Sequence, residues 1–183
     1  SGTSVTATSL NSLDTNSTQT VNAAGVTTIT GSAADVNTAY AASGITGLGD
    51  EKVTLTDTSL KASTLNTVDG NTSGTVTAAA ATTITGSIAD VNTVYAASGI
   101  NGLGNEAVTL SDTSASASVL NTIDGKTTGK IDASTLTKLT GTSADVKTAF
   151  DSSGISGLTF DASNYLASYI DLLKAYGSDL DSA

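Results

Sequence analysis

The chain has 183 residues, a formal net charge of −10 and no Cys, Met, His, Trp or Pro, and its seven basic residues are all Lys. Without Cys and His the common nucleophile–base pairs and soft metal ligands are missing, which argues against serine, cysteine and histidine mechanisms and leaves no disulfide framework to read. The acidic balance, with a pI near 4.1, repels nucleic acid and anionic membranes, since both are bound through clustered Lys or Arg. No run of apolar residues approaches the roughly 20 needed to span a membrane.

The first residues already belong to a repeat. Leu10, Leu65 and Leu120 are 55 positions apart, as are Val21, Val76 and Ile131, Ile29, Ile84 and Leu139, Asp35, Asp90 and Asp145, Tyr40, Tyr95 and Phe150, and Gly44, Gly99 and Gly154, with no insertion between copies. Such constant spacing suits units that stack, because an inserted residue would put apolar positions out of line with their neighbours. Ser4 matches Ser59 and Val5 matches Leu60, so the chain starts after the place where the "VTLT" of 53–56 would stand, and reads as a piece of a longer array.

Within each copy a second echo is present. "LNTVD" at 65–69 returns as "VNTVY" at 91–95, 26 positions later, and "LNTID" starts at Leu120, 29 positions after Val91. Each copy therefore reads as two coils, six to seven in all, each with an extended run, a polar turn, a short helix and a glycine-bearing return. "VTLTDT" (53–58) and "TTITG" (82–86) alternate apolar or β-branched residues with Thr, the period of a strand. Ala62, Leu65 and Val68 mark a short helix ending near Gly70. After Ser87, Ile88, Val91, Val94 and Tyr95 share one helical face, Asp90 completes a capping box, and Gly99 is expected to supply a left-handed stop. Ile100 and Leu103, with Ile45, Leu48, Ile155 and Leu158 in the other copies, are expected to plug the return loop into the core.

Beyond Leu158 the repeat breaks, and Leu166, Tyr169, Ile170, Leu173 and Tyr176 fall at helical spacing. The expected organisation is α/β: a repeat solenoid of three 55-residue copies over residues 1–160, the first truncated at its start, closed by a C-terminal capping helix over 161–183. An all-β solenoid is the alternative fold.

No catalytic, cofactor-binding or metal-ligating residue is assigned. The recurrent acids Asp57 and Asp112, Asp14, Asp69 and Asp124, and Glu51 and Glu106 raise the question of calcium, and "DGNTSG" at 69–74 has a superficially suitable loop. The third copy places Lys126 where Asn71 stood, which disfavours a cation there. The plainer expectation is that these carboxylates cap turns and helix ends and keep the surface soluble. The pairs Thr28/Thr30 and Thr83/Thr85 suggest a threonine-ranked face, interrupted by Lys138 before Thr140. Asn16-Ser17-Thr18 and Asn71-Thr72-Ser73 match the short glycosylation acceptor. Tyr40 and Tyr95, replaced by Phe150, are expected to pack in the core.

The phrases "VTLTDTSLKASTLNTVDGNTSGTV" and "TTITGSIADVNTVYAASGINGLGNEAVTL" resemble the Thr/Ser/Ala-rich tandem repeats of very large bacterial secreted and cell-surface proteins, especially those of cyanobacteria. The resemblance implies an extracellular structural or adhesive region in which repeat number sets reach, and brings no catalytic residue with it. Two functional readings follow. One is a stiff spacer or surface-layer stalk whose partners are neighbouring repeats of a longer chain. The other is a binding module that uses one solenoid face for calcium, glycan or a cell surface.

Overall fold

In the second half of each copy the polar residue before the helix organises its start. Ser87 Oγ accepts the Asp90 N–H at 3.1 Å and donates to Asp90 Oδ2 at 2.7 Å, and the same reciprocal pair forms at Ser32/Asp35 and Thr142/Asp145. One first-turn N–H of each helix is thereby satisfied, and the same hydroxyl is held by the carboxylate three residues on. These caps are seen in a computed structural model that describes residues 3–159; the capping helix expected over 161–183 lies outside the described residues.

The elements of the first copy are β1 (Thr3–Thr6), α1 (Ala7–Asn16), β2 (Val21–Asn22), β3 (Val26–Gly31), α2 (Ala33–Ala41), β4 (Ile45–Thr46) and β5 (Lys52–Leu55). The second copy contributes β6 (Ser59–Lys61), α3 (Ala62–Asn71), β7 (Val76–Thr77), β8 (Thr83–Gly86), α4 (Ile88–Ala96), β9 (Ile100–Asn101) and β10 (Ala107–Leu110). The third adds β11 (Ser114–Ser116), α5 (Ala117–Asp124), β12 (Ile131–Asp132), β13 (Lys138–Thr140), α6 (Ser143–Asp151) and β14 (Ile155–Ser156). The protein is therefore a mixed α/β structure, and the six helices among the described residues set aside the all-β alternative.

All strand pairs are parallel, and their partners lie one short step apart along the chain. The order β1-β3-β5-β7-β9 makes one five-stranded sheet and β6-β8-β10-β12-β14 a second, with two-stranded sheets β11-β13 and β2-β4. Thr28 pairs with Lys52, Val76 with Ile100, Ser59 with Thr83 and Ser114 with Lys138, each a step of 24 residues, shortened to 23 where Val53 meets Val76. The helices follow a different count. Each packs on the next in chain order, and the equivalent residues Asn11, Asn37 and Asn66 are 26 and then 29 positions apart.

Two strand steps fall seven or eight residues short of one 55-residue copy. Equivalent strands of successive copies do not pair with one another: Val5 lies in the first five-stranded sheet, Leu60 in the second and Ala115 in the β11-β13 sheet. Val53 and Leu60, seven positions apart, belong to β5 and β6, where the chain leaves one sheet and starts the next. A strand needs only its neighbour's hydrogen-bonding groups to continue a ladder, so pairing tolerates a partner from a different part of the repeat.

The core lies between these sheets and the helices. Ile29, Val53 and Val76 from the first sheet, Leu60, Ile84, Val108 and Ile131 from the second, and Leu65, Val91 and Leu120 from the helices are all buried. Each such side chain contributes about 1.5–3 kcal/mol on leaving water. Ile45 and Ile155 are buried and Leu48, Ile100, Leu103 and Leu158 are partly buried against the same core, so the return loops are anchored as expected.

Two helix-end readings are corrected. The first-half helix α3 runs through Gly70 to Asn71 and is ten residues long against nine for α4, so it is not the shorter of the two. Gly99 does not adopt a left-handed conformation; α4 ends on extended Ala97. Gly99 instead lies against a side chain: a Cβ there would stand 2.2 Å from Asp69 Oδ1 and would require that carboxylate to move, and Gly44 and Gly154 face Asp14 and Asp124 in the same way. The positive φ values of the return loop fall instead on Gly47, Gly102 and Gly157, each at 82°, and on Gly49 and Gly104 at 143° and 138°.

Candidate functional site

The abundant hydroxyl and amide side chains connect segments about one strand step apart. Thr82 Oγ1 donates to Thr58 O at 3.0 Å and Thr137 Oγ1 to Thr113 O at 3.1 Å, 24 residues away in each case. Asn11, Asn66 and Asn121 each donate from Nδ2 to the main-chain oxygen of Asp35, Asp90 and Asp145, at 3.0, 3.1 and 2.9 Å, tying one helix to the first turn of the next. Asn37 does the same toward Thr64 O at 3.2 Å. Each such bond adds on the order of 1 kcal/mol.

Glu51 and Glu106 were expected at the surface, yet both are 0% exposed. Tyr40 donates its hydroxyl to Glu51 Oε2 at 2.9 Å and the Gly49 N–H donates to the same oxygen at 2.9 Å. Tyr95 and Gly104 hold Glu106 Oε2 at 3.1 and 2.8 Å. The main-chain oxygens of the two glutamates accept Thr72 and Thr127 Oγ1 at 2.7 Å, from 21 residues further on. On Oε2 of both glutamates fixed donors replace water, while Glu51 Oε1 is buried without a hydrogen-bond partner. The tyrosines pack against the core as expected, and their hydroxyls do a second job that burial alone did not reveal. Tyr and Glu are 11 positions apart in the first two copies, and the third carries Phe150 and Asp161 at those places. That joint change is the signal that could have found the pair.

Burial, opposed in part by a hydrogen bond with Thr72 at Tyr40 and reinforced by the Glu106 charge at Tyr95, raises both phenols well above their usual value of 10.0. The raised folded-state pKa favours the neutral phenol, so this contribution is fully present below about pH 10 and is lost as pH climbs toward the folded value. Stability is therefore expected to begin falling at about pH 10 and to keep falling as pH rises further, with Tyr40 and Tyr95 ionising together with unfolding in an ultraviolet titration. Replacing both by Phe should flatten that fall. Ionisation of both near pH 10 in a protein that stays folded would contradict it.

The other acids are placed as structural groups. Asp57 Oδ2 accepts the Ala33 N–H at 2.8 Å and Asp112 Oδ2 the Ile88 N–H at 2.6 Å, so each caps a helix that begins 24 residues earlier. Asp69 lies against Gly99. Among the described residues no three acidic side chains gather as a metal site requires. Thr28/Thr30, Thr83/Thr85 and Lys138/Thr140 lie on β3, β8 and β13, in three different sheets, and form no common plane. Asn16 and Asn71 are exposed. A cavity of about 190 Å³ lies beside Tyr95, Leu103 and Lys126, below the ~300 Å³ of a small-molecule site.

Comparison with protein-family models, with curated proteins and with solved structures gives no match for this chain.

Proposed function

We propose that the chain is a structural repeat module of an extracellular or cell-surface protein, an α/β solenoid that acts as a stiff spacer or stalk. The observation that carries this reading is the advance of two five-stranded parallel ladders by 23–24 residues per strand while the helices pack in chain order. A chain wound in this way has contacts mainly between successive coils, so its length grows with repeat number and its stiffness comes from side-chain-to-backbone bonds between coils. The net charge of −10 keeps such rods apart in solution. The Ser/Thr-rich composition and the resemblance to giant bacterial surface proteins support an extracellular setting. Neither catalysis nor a bound cofactor is part of this role.

Removing residues 59–113 joins Thr58 to Ser114, which reproduces the native junction between copies. The shortened protein is expected to fold with little change in melting temperature. Removing 40 residues from the same point should abolish cooperative melting, because strands and helices both lose their partners. Equal tolerance of the two deletions would contradict the solenoid.

A further inference from the structure

Gly74 and Gly129 mark the closest approach between successive copies. A Cβ on Gly74 would stand 2.2 Å from the main-chain oxygen and 2.5 Å from the carbonyl carbon of Glu51; on Gly129 the corresponding distances to Glu106 are 2.1 and 2.3 Å. Both obstacles are backbone, so no rotamer change relieves them. In the first copy the position 55 residues before Gly74 is Gln19.

The local turn is the same in all three copies. The Gln19 N–H donates to Ser17 Oγ at 3.0 Å, as Gly74 N–H does to Thr72 Oγ1 and Gly129 N–H to Thr127 Oγ1, both also at 3.0 Å. The Gln19 side chain therefore leaves the backbone toward the space that a Glu51-type backbone takes up in the later copies. The hydroxyls differ accordingly. Thr72 and Thr127 donate to the preceding glutamate carbonyl, whereas Ser17 Oγ turns back to Gln19 O at 2.7 Å.

We infer that the face formed by α1 and residues 17–20 is a stacking stop: Gln19 keeps it from accepting another coil of this chain's own kind in the register that joins the internal copies. The excluded partner is the same whether it comes from a second molecule or from a preceding repeat, and a preceding repeat would meet this face through a different junction. The inference rests on the solenoid reading.

Three extended chains test it by calorimetry. Two carry an extra copy of residues 59–113 placed directly before Ser4, one with Gln19 kept and one with Gln19→Gly; the third carries the same copy between Thr113 and Ser114, where every junction has glycine. The third chain and the Gln19→Gly chain are expected to melt in one transition, and the chain that keeps Gln19 in two, the added copy melting first. One shared transition in both chains extended at Ser4 would overturn the stop, and so would two transitions in both, since glycine would then restore nothing. Failure of the third chain to melt as one unit would instead remove the solenoid reading, and the inference with it.

Discussion

Gly129→Ala is expected to destabilise the protein by at least about 3 kcal/mol, at the upper end of what an added methyl costs in a packed interior. The added Cβ would lie 2.1 Å from the Glu106 carbonyl oxygen and 2.7 Å from the Ala107 nitrogen, so two chain segments must separate to admit it. Separation also lengthens the Thr127–Glu106 bond of 2.7 Å. Gly74→Ala should behave alike. Gly70→Ala provides the internal contrast: a Cβ there meets nothing within 4 Å, and the residue lies in α3. Alanine should stabilise at that site by about 0.5–1 kcal/mol, because glycine loses more backbone freedom on entering a helix. Denaturant unfolding of the three variants checks the prediction. A Gly129→Ala midpoint equal to that of the parent protein would contradict the close approach.

Glu106→Ala is the second large effect, expected to cost about 2–4 kcal/mol. The substitution leaves the Tyr95 hydroxyl and the Gly104 N–H without their acceptor and opens a void at a fully buried position. Glu106→Gln keeps an oxygen for both donors and most of the volume, so it should cost less than half as much. Tyr95→Phe removes one donor only and leaves the Gly104 N–H on the carboxylate, so it should cost least. The measurement is again the unfolding free energy. A Glu106→Ala variant as stable as Tyr95→Phe would show that the carboxylate does not organise the return loop.

Much of the local structure was legible because short-range chemistry decides it. The Ser87–Asp90 pair could be read as a helix start, since a hydroxyl followed three residues later by a carboxylate satisfies first-turn donors in almost any context. The apolar faces around Leu65 and Val91 were legible for the same reason. What failed were readings in which one residue type has two physical uses. Gly99 was read for its conformational freedom, but its φ is not positive and its missing side chain leaves room for the Asp69 carboxylate. Glu51 and Glu106 were read as solvated loop charges because the donors that replace water come from Tyr and backbone groups not marked by spacing alone. The Thr and Ser excess was read as a compositional bias, while many of those hydroxyls donate to carbonyls about 24 residues away.

The longest-range error concerned the step. The echoes at 26 and 29 positions follow the helices, whose sequence motifs are long and distinctive. The strands, some of only two residues, step by 23–24 and leave little trace in the letters. A clue was present in "VTLTDTSLK" at 53–61, where two strand-like runs stand seven residues apart and begin different sheets.

The central claim, that successive coils pair at the 24-residue step and not at the 55-residue repeat, is open to a direct test by disulfide trapping, which the absence of native Cys makes clean. Thr30 and Thr54 are register partners on β3 and β5, whereas Thr30 and Thr85 are equivalent residues of successive copies in different sheets. Paired strands lie about 4.8 Å apart, inside the Cα separation of about 4.4–6.8 Å that a disulfide bridges. The Thr30→Cys/Thr54→Cys protein is expected to oxidise to an intramolecular disulfide while folded, and the Thr30→Cys/Thr85→Cys protein to keep two free thiols. Rapid bridging of the second pair with none of the first would contradict the account.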